Sequence, residues 1–269
     1  MVQPIEHIAK GKVVIAGAGP GDAELITIKL QKRLLEADVI ICDRLVNPEI
    51  ITLYAKPTVE VIMAGKQGYH QASIRQDDIN KLLVSHALQG KNTLRLKGGD
   101  VAFFSNVLDE LYCLTEKNIP FEIIPGITAA AGASAYAGIP LTARGLAQGV
   151  QWITFNPSAN YHPAKWRYLA ETTDTLVFYM ASKNVSDLAE LLLRYMHPRK
   201  DTPIAVIEQA TTPFQKVSLA TLRNCVAAFG NQQFASPSLV IVGEVVNLHQ
   251  QFNWFETKND NGSVFSSLA

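Results

Sequence analysis

The sequence predicts an α/β fold in two domains, the first on a mostly parallel sheet and the second on a mixed sheet. Three observations carry this. Through the first half, short apolar runs alternate with helical patterns. Four glycine-bearing turns each follow such a run: Gly17-Ala18-Gly19-Pro20-Gly21-Asp22, Gly65-Lys66, Gly98-Gly99-Asp100 and Pro125-Gly126-Ile127-Thr128. In the second half the apolar runs continue and crowd together toward the end, as the strands of a mixed sheet do.

The elements follow in order. Residues 13–16 read as a buried strand, 23–37 as a helix that Asp22 is placed to cap, and 38–42 as the next strand. That is a βαβ unit, with a right-handed crossover. Residues 59–64, 93–97 and 121–124 are further strands, and 77–89 is a helix with Ile79, Leu82, Leu83 and Ala87 on one face. Residues 127–137 form a helix of small side chains, which lets another backbone or a ligand pack close. Residues 140–148 connect to the second half. There 150–155, 175–180, 203–209, 216–221 and 238–246 read as strands, and 185–195 and 222–229 as helices. The expected boundaries are 11–142 for the first domain and 149–255 for the second. Residues 256–269, poor in large apolar side chains, form a disordered tail.

Composition narrows the function. Apolar residues make up 48% of the 269-residue chain, enough for large cores, and 24 basic residues match 24 acidic ones. A balanced charge argues against a nucleic-acid binder or a membrane-surface protein. Cys42, Cys113 and Cys225 are too widely spaced for a disulfide framework or a zinc motif, and His70 and His86 lack partners at ligand spacing, so no metal is expected. Free thiols, and a start without a basic-then-apolar pattern, make the cytoplasm the expected compartment.

Glycine after a strand allows a sharp turn or a close ligand approach, and open α/β sheets bind ligands at the carboxyl ends of their strands. The 17–22 loop is not a dinucleotide fingerprint. Its third glycine comes one position early, and Pro20 removes a backbone donor that a pyrophosphate needs. The loop therefore suits either a structural turn or a ligand without phosphates. Asp43 ends a strand on the same edge, either as a general base or as a salt-bridge partner. Lys66 ends another, as an anion anchor, a proton donor or a solvated lysine. Arg95, Lys97 and Arg144 are further candidate anion anchors.

In this order and spacing, the motifs resemble the uroporphyrinogen-III C-methyltransferases of the tetrapyrrole methylase superfamily. The resemblance runs from about Gly11 to Phe255. It rests on 14–22, Asp43-Arg44-Leu45-Val46, Arg95-Leu96-Lys97-Gly98-Gly99-Asp100, 125–130, 135–142, 176–180 and 242–246. It implies a homodimeric methyltransferase with its active site in the cleft between the two domains, and S-adenosylmethionine as methyl donor, leaving S-adenosylhomocysteine. By position the cofactor contacts are Pro20, Gly98, Gly99, Asp100, Phe103, Thr128, Ala129, Met180 and Ala210. Asp43 matches the proton acceptor and Lys66 the proton donor. The implied reaction methylates a tetrapyrrole, uroporphyrinogen III, at carbons 2 and 7 to give precorrin-2, for sirohaem or cobalamin. An alternative acceptor is another precorrin or a molecule outside the tetrapyrroles. The chain departs from the family on the substrate side. Residues 101–110 are altered, with Asn106 where an arginine is expected. Ala143 replaces a histidine, and Gln67 stands where arginine is common. Arg144, Asn106 and Arg44 are then the expected substrate contacts.

Overall fold

The computed structural model describes residues 10–64, 75–159, 162–195, 199–258 and 262–265. Contacts divide the chain after Thr128. One unit runs to Thr128 and takes back the chain from Ser263; the other is Ala129–Gly262.

In the first unit, aliphatic runs form β1 (Val13–Gly17), β2 (Val39–Cys42), β3 (Glu60–Met63), β4 (Thr93–Lys97) and β5 (Phe121–Ile124). They pair in parallel in the order β3-β2-β4-β1-β5. Parallel neighbours need crossovers, supplied by α1 (Ile28–Glu36), α2 (Pro48–Tyr54), α3 (Gln76–Leu88) and α4 (Leu108–Glu116). Side chains alternate along each strand, so the sheet feeds two cores. Val14, Ala16, Ile40 and Leu96 pack with Leu30 and Leu34 of α1 and Ile50 of α2. Val13, Ile15, Val39 and Ile41 pack with Leu83 of α3 and Leu114 of α4. Helices on both faces explain why β1 and β2 are apolar on both sides. The chain leaves β1 over one face and β4 over the other. The carboxyl ends of these two neighbours are therefore the topological switch point, where such sheets bind ligands.

The second unit opens with α5 (Ala129–Tyr136). It has β6 (Val150–Thr154), β7 (Thr175–Tyr179), β8 (Pro203–Glu208), β9 (Lys216–Thr221) and β10 (Ser238–Val242), with α6 (Pro163–Glu171), α7 (Val185–Leu193), α8 (Cys225–Phe229) and α9 (His249–Phe252). Strand order is β6-β7-β10-β8-β9; β6 and β7 are parallel and the other pairs antiparallel, a mixed sheet. Trp166, Leu188 and Cys225 of α6, α7 and α8 cover one face with Phe178 and Val240. Ala130, Ala133 and Ala137 cover the other with Val177, Ala205 and Ile241. The small side chains of α5 are used for this close packing.

The structure differs from the sequence expectations in several places. The helix expected over 23–37 is two pieces. Asp22 caps a 3-10 turn, Ala23–Leu25, by accepting from the Glu24 N–H at 2.9 Å, and Thr27 caps α1 by accepting from the Leu30 N–H at 3.1 Å. Extended backbone at Ile26 and Thr27 separates them. Helices α2, α4 and α6 were not anticipated, although Asn47-Pro48 and His162-Pro163 are a capping residue followed by proline. The run 238–246 ends as a strand at Val242, because Gly243 takes φ 150° and a 3-10 turn Glu244–Leu248 follows. Residues 129–142, placed by sequence in the first domain, group by contacts with the second unit through the α5 packing. At the chain end, the Lys258 N–H donates to Pro213 O at 2.6 Å and Phe265 is buried.

Away from the switch point, Glu122 of β5 gathers Arg33 at 3.0 Å and Lys12 and Lys29 at 2.5 Å each. Hydrogen bonds from Arg33, then Lys12 and Lys29, pull its carboxyl from 4.5 down to about 2. A depressed folded-state pKa contributes stability that is present above the unfolded value and lost as pH falls toward the folded one. Glu122→Gln is therefore expected to flatten the loss of stability between about pH 4.5 and pH 2. Urea midpoints of wild type and variant at pH 6 and pH 3 check this: the gap between the two proteins should narrow at pH 3.

Candidate functional site

The switch point is built from backbone. After β1 the chain turns through Gly19, at φ 80°, and after β4 through Gly99, at φ 67°. The two turns bond to each other, Gly19 N–H to Gly99 O at 3.1 Å and Gly99 N–H to Gly19 O at 2.8 Å. A Cβ at Gly17 would meet Gly99 O at 2.5 Å, and one at Gly126 would meet the same oxygen at 2.3 Å. The loops after β1, β4 and β5 therefore touch main chain to main chain. Gly98 is needed for the same kind of reason, since its Cβ would lie 2.9 Å from Leu45 O. Asp100 ties two of these loops together: its carboxylate accepts from the Ala102 N–H and from the Gly126 N–H, each at 2.7 Å. Pro20 is buried in the first loop. Thr128 is buried at the end of the loop after β5.

Beside this cradle lies a buried charge network. Arg95 of β4 is paired across the sheet with Ile15 and Ile41 and is 2% exposed. Its Nε donates to Glu110 of α4 at 2.8 Å, its Nη1 to Ile41 O at 3.3 Å and Leu96 O at 3.4 Å, and its Nη2 to Asp43 Oδ1 at 2.5 Å. Lys97, on the same face of β4, donates to both Glu110 oxygens at 3.2 and 3.3 Å. Glu110 is wholly buried, whereas the Asp43 side chain is 32% exposed. Burial works to lower the Arg95 pKa, but the charges and hydrogen bonds of Asp43 and Glu110 outweigh it and raise it. Arg44, next in the chain, is lowered by burial against the pull of Asp43. Cys42 is pushed up to about 12 by burial, then by Asp43, and is an inert thiol at neutral pH.

The other sequence-named residues fall as follows. Lys66 and Gln67 lie outside the described residues. Phe103 is 41% exposed in a loop where Phe104 and Asn106 take left-handed φ of 55° and 53°. The Asn106 amide donates to Asp109 at 2.9 Å, an exposed contact within its own turn. In the second unit, Ala129 opens α5, and the Tyr179 hydroxyl accepts from the Ala130 N–H at 3.1 Å. Met180 follows β7 at φ 58° with 65% exposure. Ala210 follows β8 between two left-handed residues, Gln209 at φ 46° and Thr211 at φ 69°. Strands β7 and β8 both run opposite to β10, so Met180 and Ala210 share one edge of that sheet. Arg144 is exposed in the turn closed by the Ala143–Ala147 bridge.

Sequence reasoning missed Glu110 and Gln209. Glu110 had a signal: cations at every second position of a central strand, Arg95 and Lys97, require an acidic partner. Gln209 had none. It is 4% exposed; its Nε2 donates to Gly262 O at 3.0 Å, and among the described residues its buried Oε1 has no partner. Among the described residues there is no cluster of three or more metal-binding side chains, and no helix long and apolar enough to cross a membrane.

Comparison with known proteins adds the following. Residues 12–225 match the family of Tetrapyrrole (Corrin/Porphyrin) Methylases. The chain is 43% identical to the uroporphyrinogen-III C-methyltransferase of Bacillus subtilis, over 92% of this chain and 96% of that one. It is 42% identical to siroheme synthase 2 of Yersinia enterocolitica over 92% of this chain but 51% of the relative, so it spans about half the length of that protein. Among solved structures it is similar to a Thermus thermophilus uroporphyrin-III C-methyltransferase complexed with S-adenosylhomocysteine, at 33% identity and TM-score 0.73, covering 88% of this chain and 100% of that one.

The Asp100 geometry generates a test. Asparagine can accept only one of the two N–H bonds and turns an NH₂ toward the other donor. Asp100→Asn is expected to cost about 1–3 kcal/mol of stability, read as a lower urea midpoint with an unchanged denaturant slope.

Proposed function

Because the chain belongs to the tetrapyrrole (corrin/porphyrin) methylases, we propose that it is an S-adenosylmethionine-dependent C-methyltransferase that converts uroporphyrinogen III to precorrin-2. The observation that carries this reading is the 43% identity to a uroporphyrinogen-III C-methyltransferase across nearly the full length of both chains. The product would enter sirohaem or cobalamin synthesis, and the enzyme would work as a cytoplasmic homodimer.

The residues present fit the cofactor. The β1 loop offers no run of backbone donors for phosphates, since position 20 is proline, and S-adenosylmethionine carries none. Gln209, next to Ala210, presents a buried acceptor suited to an N–H donor such as the adenine amino group. Met180, which follows β7, offers an exposed apolar side chain. We assign cofactor contacts to Pro20, Gly98, Gly99, Asp100, Phe103 and Thr128 in the first unit, and to Ala129, Met180 and Ala210 in the second.

S-adenosylmethionine, when bound, supplies an electrophilic methyl group on sulfur. The electron-rich pyrrole carbon of the porphyrinogen is the nucleophile: a carbon–carbon bond forms, the carbon–sulfur bond breaks, and the methylated ring then gives up a proton. Asp43 is the acceptor of that proton. It is a partly exposed carboxylate at the end of β2, next to the switch point, and one of its oxygens is held by the Arg95 guanidinium at 2.5 Å. Lys66 is assigned the donor role. The substrate's many carboxylates need basic partners, for which Arg144 and Arg44 are the candidates, with Asn106 as a neutral donor.

Anaerobic incubation with uroporphyrinogen III and S-adenosylmethionine should add two methyl groups by mass spectrometry. Methylation of a different precorrin instead would replace the proposed substrate. Asp43→Asn should slow turnover by about 10²-fold or more while leaving S-adenosylhomocysteine affinity, by calorimetry, unchanged. Arg144→Ala should raise KM for the tetrapyrrole by about tenfold, as expected for one charged hydrogen bond, with kcat nearly constant.

A further inference from the structure

We propose that Glu110 and Arg95 are positioning residues for Asp43, forming a buried charge brace that fixes the direction of its carboxylate and sets its strength as a base. The proposal rests on the reading of Asp43 as the proton acceptor.

The geometry is specific. All three guanidinium nitrogens of Arg95 are engaged, by Glu110, by two backbone carbonyls and by Asp43. The fork is therefore locked in plane and orientation, and so is the Asp43 oxygen that it holds. Among the described residues, the other Asp43 oxygen has no hydrogen-bond partner. Glu110 comes from α4 and accepts from Arg95 Nε, whereas Asp43 accepts from Nη2, and Lys97 approaches Glu110 from the same strand as Arg95.

The charges balance: Arg95 and Lys97 against Glu110 and Asp43. Three of the four are almost wholly buried, and only Asp43 reaches solvent. A proton landing on Asp43 leaves the buried set with a surplus positive charge, which opposes protonation. Glu110 limits that opposition by taking up part of the Arg95 charge. Without it, the guanidinium would act on Asp43 alone and make a poorer base. A buried carboxylate between two cations is also weak as a stabilising device compared with apolar packing, which favours a role at the site. Among the described residues, Arg44 and Cys42 from its own segment also interact electrostatically with Asp43.

The test is the pH profile of kcat in the anaerobic methylation assay. Glu110→Gln keeps the shape and removes the charge. It should lower kcat by about tenfold and move the acid limb of the profile to lower pH. KM for the tetrapyrrole and calorimetric affinity for S-adenosylhomocysteine should stay within about twofold. The double variant Lys97→Met/Glu110→Gln removes one charge of each sign and should return the acid limb toward its wild-type position. An unmoved limb in Glu110→Gln, a loss confined to KM, or a double variant displaced as far as the single one overturns the brace. If Glu110→Gln does not fold, the double variant decides: a limb at the wild-type position supports the brace and a displaced one overturns it. An inactive but folded wild type overturns the methyltransferase reading, and the brace with it. An active wild type with an unmoved Glu110→Gln overturns the brace alone.

Discussion

A guanidinium in the middle of a parallel sheet must find its counter-charges within the protein, because water cannot reach it. Arg95 is in that position, between Ile15 and Ile41 on neighbouring strands. Its requirements fix three other parts of the first unit. Helix α4 must present Glu110 toward the sheet, the segment after β2 must bring Asp43 back over β4, and two strand carbonyls must accept from the same fork. Removing one partner of such a set commonly costs about 3–5 kcal/mol, since it strands a buried charge. The charges thus specify one arrangement of sheet, helix and loop where apolar packing alone would tolerate several.

The second constraint is steric. The main chains at Gly17, Gly99 and Gly126 approach so closely that no side chain fits among them, and Asp100 bonds the loops where they meet. A ligand surface made of backbone has few rotamers to freeze on binding, so little ordering entropy opposes a ligand that fits. Loops held in this way suit chemistry that depends on bringing two reactants into line, as methyl transfer between carbon and sulfur does. In the second unit the left-handed backbone at Met180, Gln209 and Thr211 has the same character: conformations unfavourable in isolation are held by neighbouring contacts, such as the bond from Thr211 N–H to Gln215.

Much of this was legible in the sequence, for identifiable reasons. The β1 run is apolar on both faces, and the β1 and β4 runs both lead into glycine turns, so their strands and turns could be read directly. Residues 23–37 misled because Leu25 and Ile28 keep a helical period across Ile26 and Thr27, where the backbone is extended. Helix α4 went unread because its apolar residues, Leu108, Leu111 and Leu114, follow a loop with left-handed positions at non-glycine residues. The direction of Arg95 could not be read from composition, since an arginine within a strand can point to either face. Its 2% exposure and its bond to the buried Glu110 of α4 show that it points into the core. Gln209 is illegible in principle, because its burial depends on main-chain contacts with Pro237 and Gly262, distant in sequence.

The strand order β3-β2-β4-β1-β5 bears on how the chain is made. Val13 of β1 pairs with Thr93 on one side and with Phe121 on the other, so the first strand of this unit has no neighbour until β4 is made and no second one until β5 is made. Strand β2 can pair with β3 earlier, yet its other edge also waits for β4. During synthesis this wholly buried strand is unpaired for most of the unit's length, the condition in which strands seek foreign partners. Strand β4 pairs with β1 on one side and β2 on the other, so Arg95 can meet Asp43 only after β4 has been made. Assembly of the sheet and assembly of its charged site are then a single late event in the life of the nascent chain.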